Sequence, residues 1–442
     1  MRKKAALHNL GCKVNAYETE AMKELLREDG YEIVDFHDKA DVYVVNTCTV
    51  TSVADQKSRQ TLHRAKKENP DAIVVAAGCY VQTAADKLRK DNYIDILIGN
   101  NKKDQLVNKI HEYIKGQERE ESIMDVNKGK ISYEALRVNS TGKNTRAFVK
   151  IQDGCNEFCT YCLIPYARGR NRFRDIASIK EEVKKFAKNG YKEVVLTGIH
   201  LSAFGESEDF GLIDVIESIS EVSGIERIRL GSIEPRIITE DFARRVSKIK
   251  KFCPHFHLSL QSGCNKILKR MNRKYTKEEF REGCILLRKY FKDPALTTDV
   301  IVGFPGETEE DFMESYEFYK DINFYEMHVF KFSKRRGTGA YTMPNQVTND
   351  EKTRRSHILL SLAKKNGREY REKLIGTEVE VLIECKEFIN KKFYWTGFTK
   401  TYVRVIVDSK EDLKDRIVSG KAIELLNDEL IVLDRNLKIN IE

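Results

Sequence analysis

Nowhere in its 442 residues does the chain hold a run of about eighteen uncharged apolar residues, which excludes a membrane-spanning helix. The N-terminus, MRKKAALHNLGC, is basic but lacks the apolar stretch of a secretory signal, so a cytoplasmic location is expected. A strong excess of one charge is also missing. With 77 Lys and Arg against 68 Asp and Glu, the net +9 permits an anionic partner without demanding one. In a reducing compartment the ten cysteines should stay reduced, which favours metal ligation or catalysis over disulfides.

What is present reads as an α/β chain of several domains. Residues 1–114 alternate strands (KAALHNL, DVYVVNT, AIVVAAG, IDILIG) with amphipathic helices, the pattern of a parallel α/β domain. Residues 115–143 are polar, have little apolar periodicity and read as a linker. From 144 to 373 six further strand-like runs alternate with helical segments, as in a partial (β/α)6 barrel. The spacing predicts a helix over 349–373, with Asn349, Asp350 and Glu351 at its positive end. Short β runs broken by Gly, Asp and Asn fill 374–442, the pattern of a small antiparallel β-barrel.

Two cysteine sets carry the chemistry. Cys155, Cys159 and Cys162 lie on one short loop after the first strand of the barrel series. Three thiolates can hold three irons of a [4Fe–4S] cube and leave the fourth iron open to a substrate. A zinc knuckle would want a fourth ligand, and no Cys or His lies within thirty residues. Tyr161 supplies an aromatic face for the adenine of a nucleoside cofactor. Cys12, Cys48 and Cys79 are distant in sequence, but each follows a strand of the N-terminal unit. Parallel strand ends converge on one crevice, so these thiols predict a second three-thiolate cluster. Burial as small hydrophobes would explain one or two of them, and is the reading for Cys253, Cys264, Cys284 and Cys385.

The CxxxCxxC spacing with an aromatic before the third Cys resembles the radical-SAM superfamily. That resemblance implies S-adenosylmethionine (SAM) contacts at Thr197 and Gly198, at Ser232 and Glu234, and at Ile301 and Gly303 near Glu307. Over the whole length the chain resembles the methylthiotransferases, with an N-terminal three-Cys domain, a radical-SAM domain and a C-terminal TRAM domain. NTCTVTSVADQKSRQ, GCNEFCTYCLIPYARGR and LTGIHLSAFG most resemble the branch acting on threonylcarbamoyladenosine in tRNA. The resemblance implies two [4Fe–4S] clusters, SAM, methylthiolation of adenine carbon 2 at position 37, and an electron donor of flavodoxin or ferredoxin type. The other branches act on isopentenyl-adenosine in tRNA or on a ribosomal-protein aspartate.

Residues 331–373 carry a net +8, which makes Arg335, Arg336, Arg354 and Arg355 candidate phosphate contacts; a solvated helix face is the alternative. Residues 374–442 are net −2, so the terminal barrel is no basic patch. Arg168, Arg170, Arg172 and Arg174 could steer an anionic substrate or line the rim. Tyr394, Trp395 and Phe398 could stack on bases or form core.

Overall fold

The computed structural model of the chain describes residues 2–439 except 117, 130, 140, 141, 143 and 207. The N-terminal strands are β1 (Lys4–Asn9), β2 (Glu32–Val34), β3 (Val42–Thr47), β4 (Ile73–Gly78), β5 (Ile96–Ile98) and β6 (Glu120–Ser122). They form one parallel sheet in the order β2-β1-β3-β4-β5-β6. Helices α1 (Lys13–Glu28), α2 (Ser52–Glu68), α3 (Cys79–Leu88) and α4 (Leu106–Gly116) cover it. Every residue of β3 is buried, as a central parallel strand with both faces covered requires.

The stretch read as a linker does more than connect. β6 is the edge strand beside β5, and Val126, Leu136 and Val138 are buried. Tyr17 Oη donates to Leu136 O at 2.9 Å. Single anchors spaced this widely leave no periodicity to read.

Next come β7 (Arg146–Lys150), the short hairpin β8 (Gln152–Asp153) and β9 (Arg172–Phe173), then β10 (Glu193–Thr197), β11 (Arg227–Leu230), β12 (His255–Gln261), β13 (Ala295–Val302) and β14 (Glu326–Lys331). β7, β10 and β11 form one parallel sheet, and β12, β13 and β14 another. Parallel bridges Ile228–Phe252 and Ile233–Leu258 join them into a six-strand arc. Among the described residues no ladder joins β7 to β14, so the barrel is partial. Period-two alternation sends Ala147, Val149, Val194, Leu196, Ile228 and Leu230 to the outer core with α6 (Ile176–Lys188) and α7 (Leu212–Ser220). The intervening Arg146, Glu193, Arg227 and Arg229 occupy the opposite face.

A 24-residue helix, Asn349–Glu372, is capped by Thr348, whose hydroxyl accepts the Glu351 N–H at 3.3 Å. It leads to β15 (Glu378–Ile389), β16 (Lys392–Thr399), β17 (Arg404–Val407), β18 (Ile417–Leu425), β19 (Ile431–Leu433) and β20 (Lys438–Ile439). β15 pairs with both β16 and β18, closing a ring that is antiparallel except for the parallel β17–β19 pair. The ring seats on the barrel end where the strands begin. Arg227 donates to Phe398 O at 2.9 Å and Glu380 O at 3.0 Å, Arg229 to Lys400 O at 2.9 Å, and Arg146 pairs with Glu384 at 2.8 Å. The opposite end, where strands finish, is left for chemistry.

Candidate active site

Cys12, Cys48 and Cys79 stand at the carboxyl ends of β1, β3 and β4, three adjacent strands. Asn9 faces Asn46 and Thr47 faces Gly78 in the ladder, so the chain leaves the sheet at one level three times. Cys12 caps α1 and Cys79 opens α3, and helix N-termini favour negative charge. Gly11, at φ +100, has no room for a side chain: a Cβ there would lie 2.8 Å from Cys48 Sγ. Burial raises the Cys48 thiol to about 11, and the Cys79 and Cys12 thiols also act on it, so the three share one electrostatic neighbourhood. Asn100 Nδ2 reaches Cys79 Sγ at 3.4 Å.

The second loop starts at Gly154, at φ +74, where a Cβ would run into the Arg170 carbonyl. The Cys155 N–H donates to Gly169 O at 3.0 Å. Each thiol meets a donor: Glu157 N–H to Cys155 Sγ at 3.5 Å, Arg273 Nη1 to Cys159 Sγ at 3.3 Å, Ile164 N–H to Cys162 Sγ at 3.4 Å. Burial pushes the Cys162 thiol up to about 12. Such thiols are inert until a metal displaces the proton.

The donor set fits an iron–sulfur cluster better than a single ion. Two thiolates on one zinc stand about 3.8 Å apart, given bonds of about 2.3 Å in a tetrahedron. Among the described residues, the groups with ligand atoms all within 4.8 Å are His257–Asp299–His328, Glu157–His200–Glu234 and Cys264–Asp311–Glu314; neither cysteine set is one of them. Triangles wider than that suit thiolates bound to different irons.

A buried ion network joins the two loops. Arg168, fully buried in α5 (Ile164–Arg168), donates from Nη1 to Glu18 Oε1 at 2.8 Å and Asp153 Oδ1 at 3.0 Å, and from Nη2 to Asn15 Oδ1 at 2.6 Å. Lys103 and Lys150 complete it at 3.1 and 2.7 Å from Glu18. Burial opposes the Glu18 charge, but Arg168 and the two lysines hold its carboxyl well below the usual range. Arg172 pairs with Asp153 and Arg174 with Glu182. Of the basic run 168–174, Arg170 alone is exposed.

The remaining sequence-predicted residues fall as follows. Tyr161 and Ile301 pack on one apolar cluster with Phe304 and Phe332. Thr197 is buried and accepts the Ile151 N–H through its carbonyl, Gly198 abuts Gln152, and Ser232 is exposed. Gly303, at φ +70, donates its N–H to Glu307 at 2.6 Å. Glu234 is held by Arg273 at 2.9 Å, Arg236 at 3.1 Å and His200 at 3.4 Å. Burial works against charge on His200, but the adjacent Cys155 and Glu234 raise it to about 10. His200, Arg273, Asn15, Asn100 and Glu18 were missed by sequence reading. Only the contiguity of His200 with the Thr197–Gly198 segment could have drawn attention to one of them.

The expectation of four phosphate-binding arginines needs correction. Arg335 is buried, pairs with Asp55 at 2.8 Å and donates to Thr49, so it clamps the N-terminal domain beside Cys48. Arg355 is buried against Glu307 at 2.7 Å, and Arg354 is exposed but paired with Glu351 at 2.6 Å and with Glu309. Arg336 is exposed and, among the described residues, unpaired. Beside Glu351 from within the segment, the acids that neutralise these arginines, Asp55, Glu307 and Glu309, come from elsewhere in the sequence. In the C-terminal ring Trp395 is core, its indole N–H donating to Glu411 O at 2.7 Å, and Phe398 stacks on Tyr402 at 4.6 Å. The exposed aromatic pair there is Phe388 and Phe393, 4.9 Å apart, which sequence reading did not single out.

A family model described as "Radical SAM superfamily" matches residues 149–319, and "Uncharacterized protein family UPF0004" matches residues 4–99. A solved structure of the radical S-adenosylmethionine methyltransferase TsrM from Kitasatospora setae shares the fold, with a TM-score of 0.59, 15% identity and 77% of each chain covered. Fold and site together define a radical-SAM enzyme, with [4Fe–4S] clusters and SAM as its cofactors. Among named relatives, the threonylcarbamoyladenosine tRNA methylthiotransferase MtaB of Bacillus subtilis (strain 168) is 41% identical over 95% of this chain and 93% of its own length. The Aquifex aeolicus (strain VF5) protein of the same name is 41% identical over 86% of this chain and 92% of its own length. A Clostridium tetani (strain Massachusetts / E88) relative named tRNA-2-methylthio-N(6)-dimethylallyladenosine synthase is 34% identical over 94% of this chain and 93% of its own length. The chain belongs to the radical-SAM methylthiotransferase family.

Proposed function

We propose that this chain attaches a methylthio group to carbon 2 of N6-threonylcarbamoyladenosine at position 37 of tRNA. The single observation that carries the reading is the pair of three-thiol sites at strand ends of adjacent domains, tied together through Arg168. The clusters and SAM, when bound, supply one-electron cleavage and sulfur, chemistry beyond any side-chain acid or base. The protein's part is placement. Cys155, Cys159 and Cys162 hold one cluster, and Cys12, Cys48 and Cys79 the other. Arg273 and Ile164 N–H donate to the first thiolate set, Asn100 to the second. Tyr161 and Ile301 offer an apolar bed for adenine; Thr197, Gly198, Ser232, Glu234 and Gly303 offer polar and close-approach positions for the rest of SAM. Arg336 is the arginine of the four retained as a phosphate contact.

Threonylcarbamoyladenosine is favoured over the dimethylallyl substrate by the names of the relatives at 41% identity against those at 34% to 36%. We place the enzyme in the cytoplasm, beside tRNA and a flavodoxin- or ferredoxin-type donor; among the described residues, no helix is long and apolar enough to cross a membrane. Mass spectrometry of tRNA nucleosides from a deletion strain tests the reading. Methylthio-threonylcarbamoyladenosine should vanish while its unmethylthiolated precursor accumulates; persistence of the product contradicts it.

A further inference from the structure

The outer side of the Cys155–Cys162 loop carries an aromatic and cationic face that the chemistry above does not use. Phe158 immediately precedes Cys159 and holds φ +46, a backbone region uncommon for a bulky residue. Asn272 braces the turn, donating to Glu157 O at 3.1 Å and Phe158 O at 3.0 Å. The Phe158 ring meets Tyr166 edge-on at 5.5 Å, and the Arg170 guanidinium lies over it at 4.5 Å. Tyr166 is 49% exposed, and Arg170 is exposed as well.

Tyr166 stands between two shallow concavities. One includes Phe158 and Arg170, the other Arg59, Lys87 and Arg336. Of the acids in their walls, Glu121 and Asp55 are already paired, with Arg89 and Arg335, and Asp125, whose carboxylate accepts the Asn127 N–H at 2.9 Å, adds one negative charge against three cations. Among the described residues, Arg59, Lys87 and Arg170 make no ion pair, so the unneutralised charge of this face is positive.

We propose that this face docks an acidic one-electron carrier protein that reduces the Cys155–Cys159–Cys162 site. The inference rests on the radical-SAM reading above. For each SAM cleaved, the reduced carrier loses one electron and the sulfonium gains it; one S–C bond breaks to give methionine and a 5′-deoxyadenosyl radical. Unpaired cations steer an acidic partner and make the encounter salt-dependent. An exposed aromatic between them, Tyr166, is the usual kind of anchor.

The test uses cluster-loaded full-length enzyme with purified, reduced flavodoxin as the probe. Titration calorimetry reads flavodoxin affinity, and 5′-deoxyadenosine formation is compared between flavodoxin and dithionite as reductants. Arg170→Glu with Lys87→Glu should weaken flavodoxin binding about tenfold or more at about 50 mM salt, with binding in the native enzyme falling as salt rises. The flavodoxin-to-dithionite rate ratio should drop by a similar factor, with tRNA affinity, to which the neighbouring Arg336 contributes, falling by less. Lys87→Glu alone, on α3 and away from the cysteine loop, should give a smaller loss in the same direction, which guards against a loading defect. Unchanged flavodoxin affinity in both variants overturns the proposal. So does a loss of tRNA affinity in its place, which would assign the face to RNA. Failure of dithionite-driven cleavage in the native enzyme would instead sink the radical-SAM reading itself.

Discussion

Arg168 Nη2 donates to Asn15 Oδ1 across 2.6 Å, joining the helix that follows Cys162 to the first turn of the helix that follows Cys12. The other nitrogen of the same guanidinium holds Asp153, the residue before Gly154 and Cys155. One buried cation therefore sets the two thiol sites against each other. Removing one partner of a buried ion cluster costs about 3–5 kcal/mol, because the remaining charges stay buried and unpaired. Arg168→Met should lower stability by that order in chemical denaturation. In the fraction still folded, methylthio transfer should fall further than SAM cleavage.

Glu18 adds a pH signature. Its folded carboxyl lies well below the ordinary value of 4.5, so its contribution is fully present above that value and is lost as pH falls through the lower folded one. The stability gap between the native protein and Glu18→Gln should stay constant from about pH 5 to 8 and narrow only in stronger acid. A gap that closes near neutrality in pH-dependent denaturation would contradict this.

Gly154 shapes the radical loop. At φ +74, with the Arg170 carbonyl where a Cβ would go, Gly154→Ala combines about 1–3 kcal/mol of backbone strain with a steric overlap. Chemical reconstitution should then load about four fewer irons per chain than in the native protein. Gly116→Ala, which meets nothing within 4 Å and has no left-handed backbone to strain, serves as the control that should load normally.

Arg335 and Arg336 are neighbours with different predicted effects. Arg336→Ala should weaken tRNA binding and lower the salt slope by about one unit, as loss of one phosphate contact does. Arg335→Ala should instead destabilise the joint between the domains, since its guanidinium is spent on Asp55 and Thr49. Filter binding across a salt series, beside thermal melts, separates the two.

The fold was legible wherever one element carried its own periodicity. The strands ending before Cys12, Cys48 and Cys79 each read as short apolar runs, and parallel topology then brought the thiols together. The Cys155–Cys162 spacing needed no folding argument at all. Illegible were features made by pairing across distance. The ionic character of 331–373 was visible, but Glu307, Glu309 and Asp55, which neutralise its arginines, lie elsewhere in sequence. For the same reason Arg168 looked like one of a surface run. Nothing local announced that Glu18, Lys103 and Lys150, from both domains, would enclose it.

The most direct test pairs an iron count with SAM cleavage in two variants. In the native enzyme about eight irons per chain are expected, and about four in either variant. Cys48→Ala should still form 5′-deoxyadenosine while making no methylthio product; Cys159→Ala should form neither. Equal loss of 5′-deoxyadenosine in both variants, or an iron content that Cys48→Ala leaves untouched, would contradict two separate clusters with divided roles.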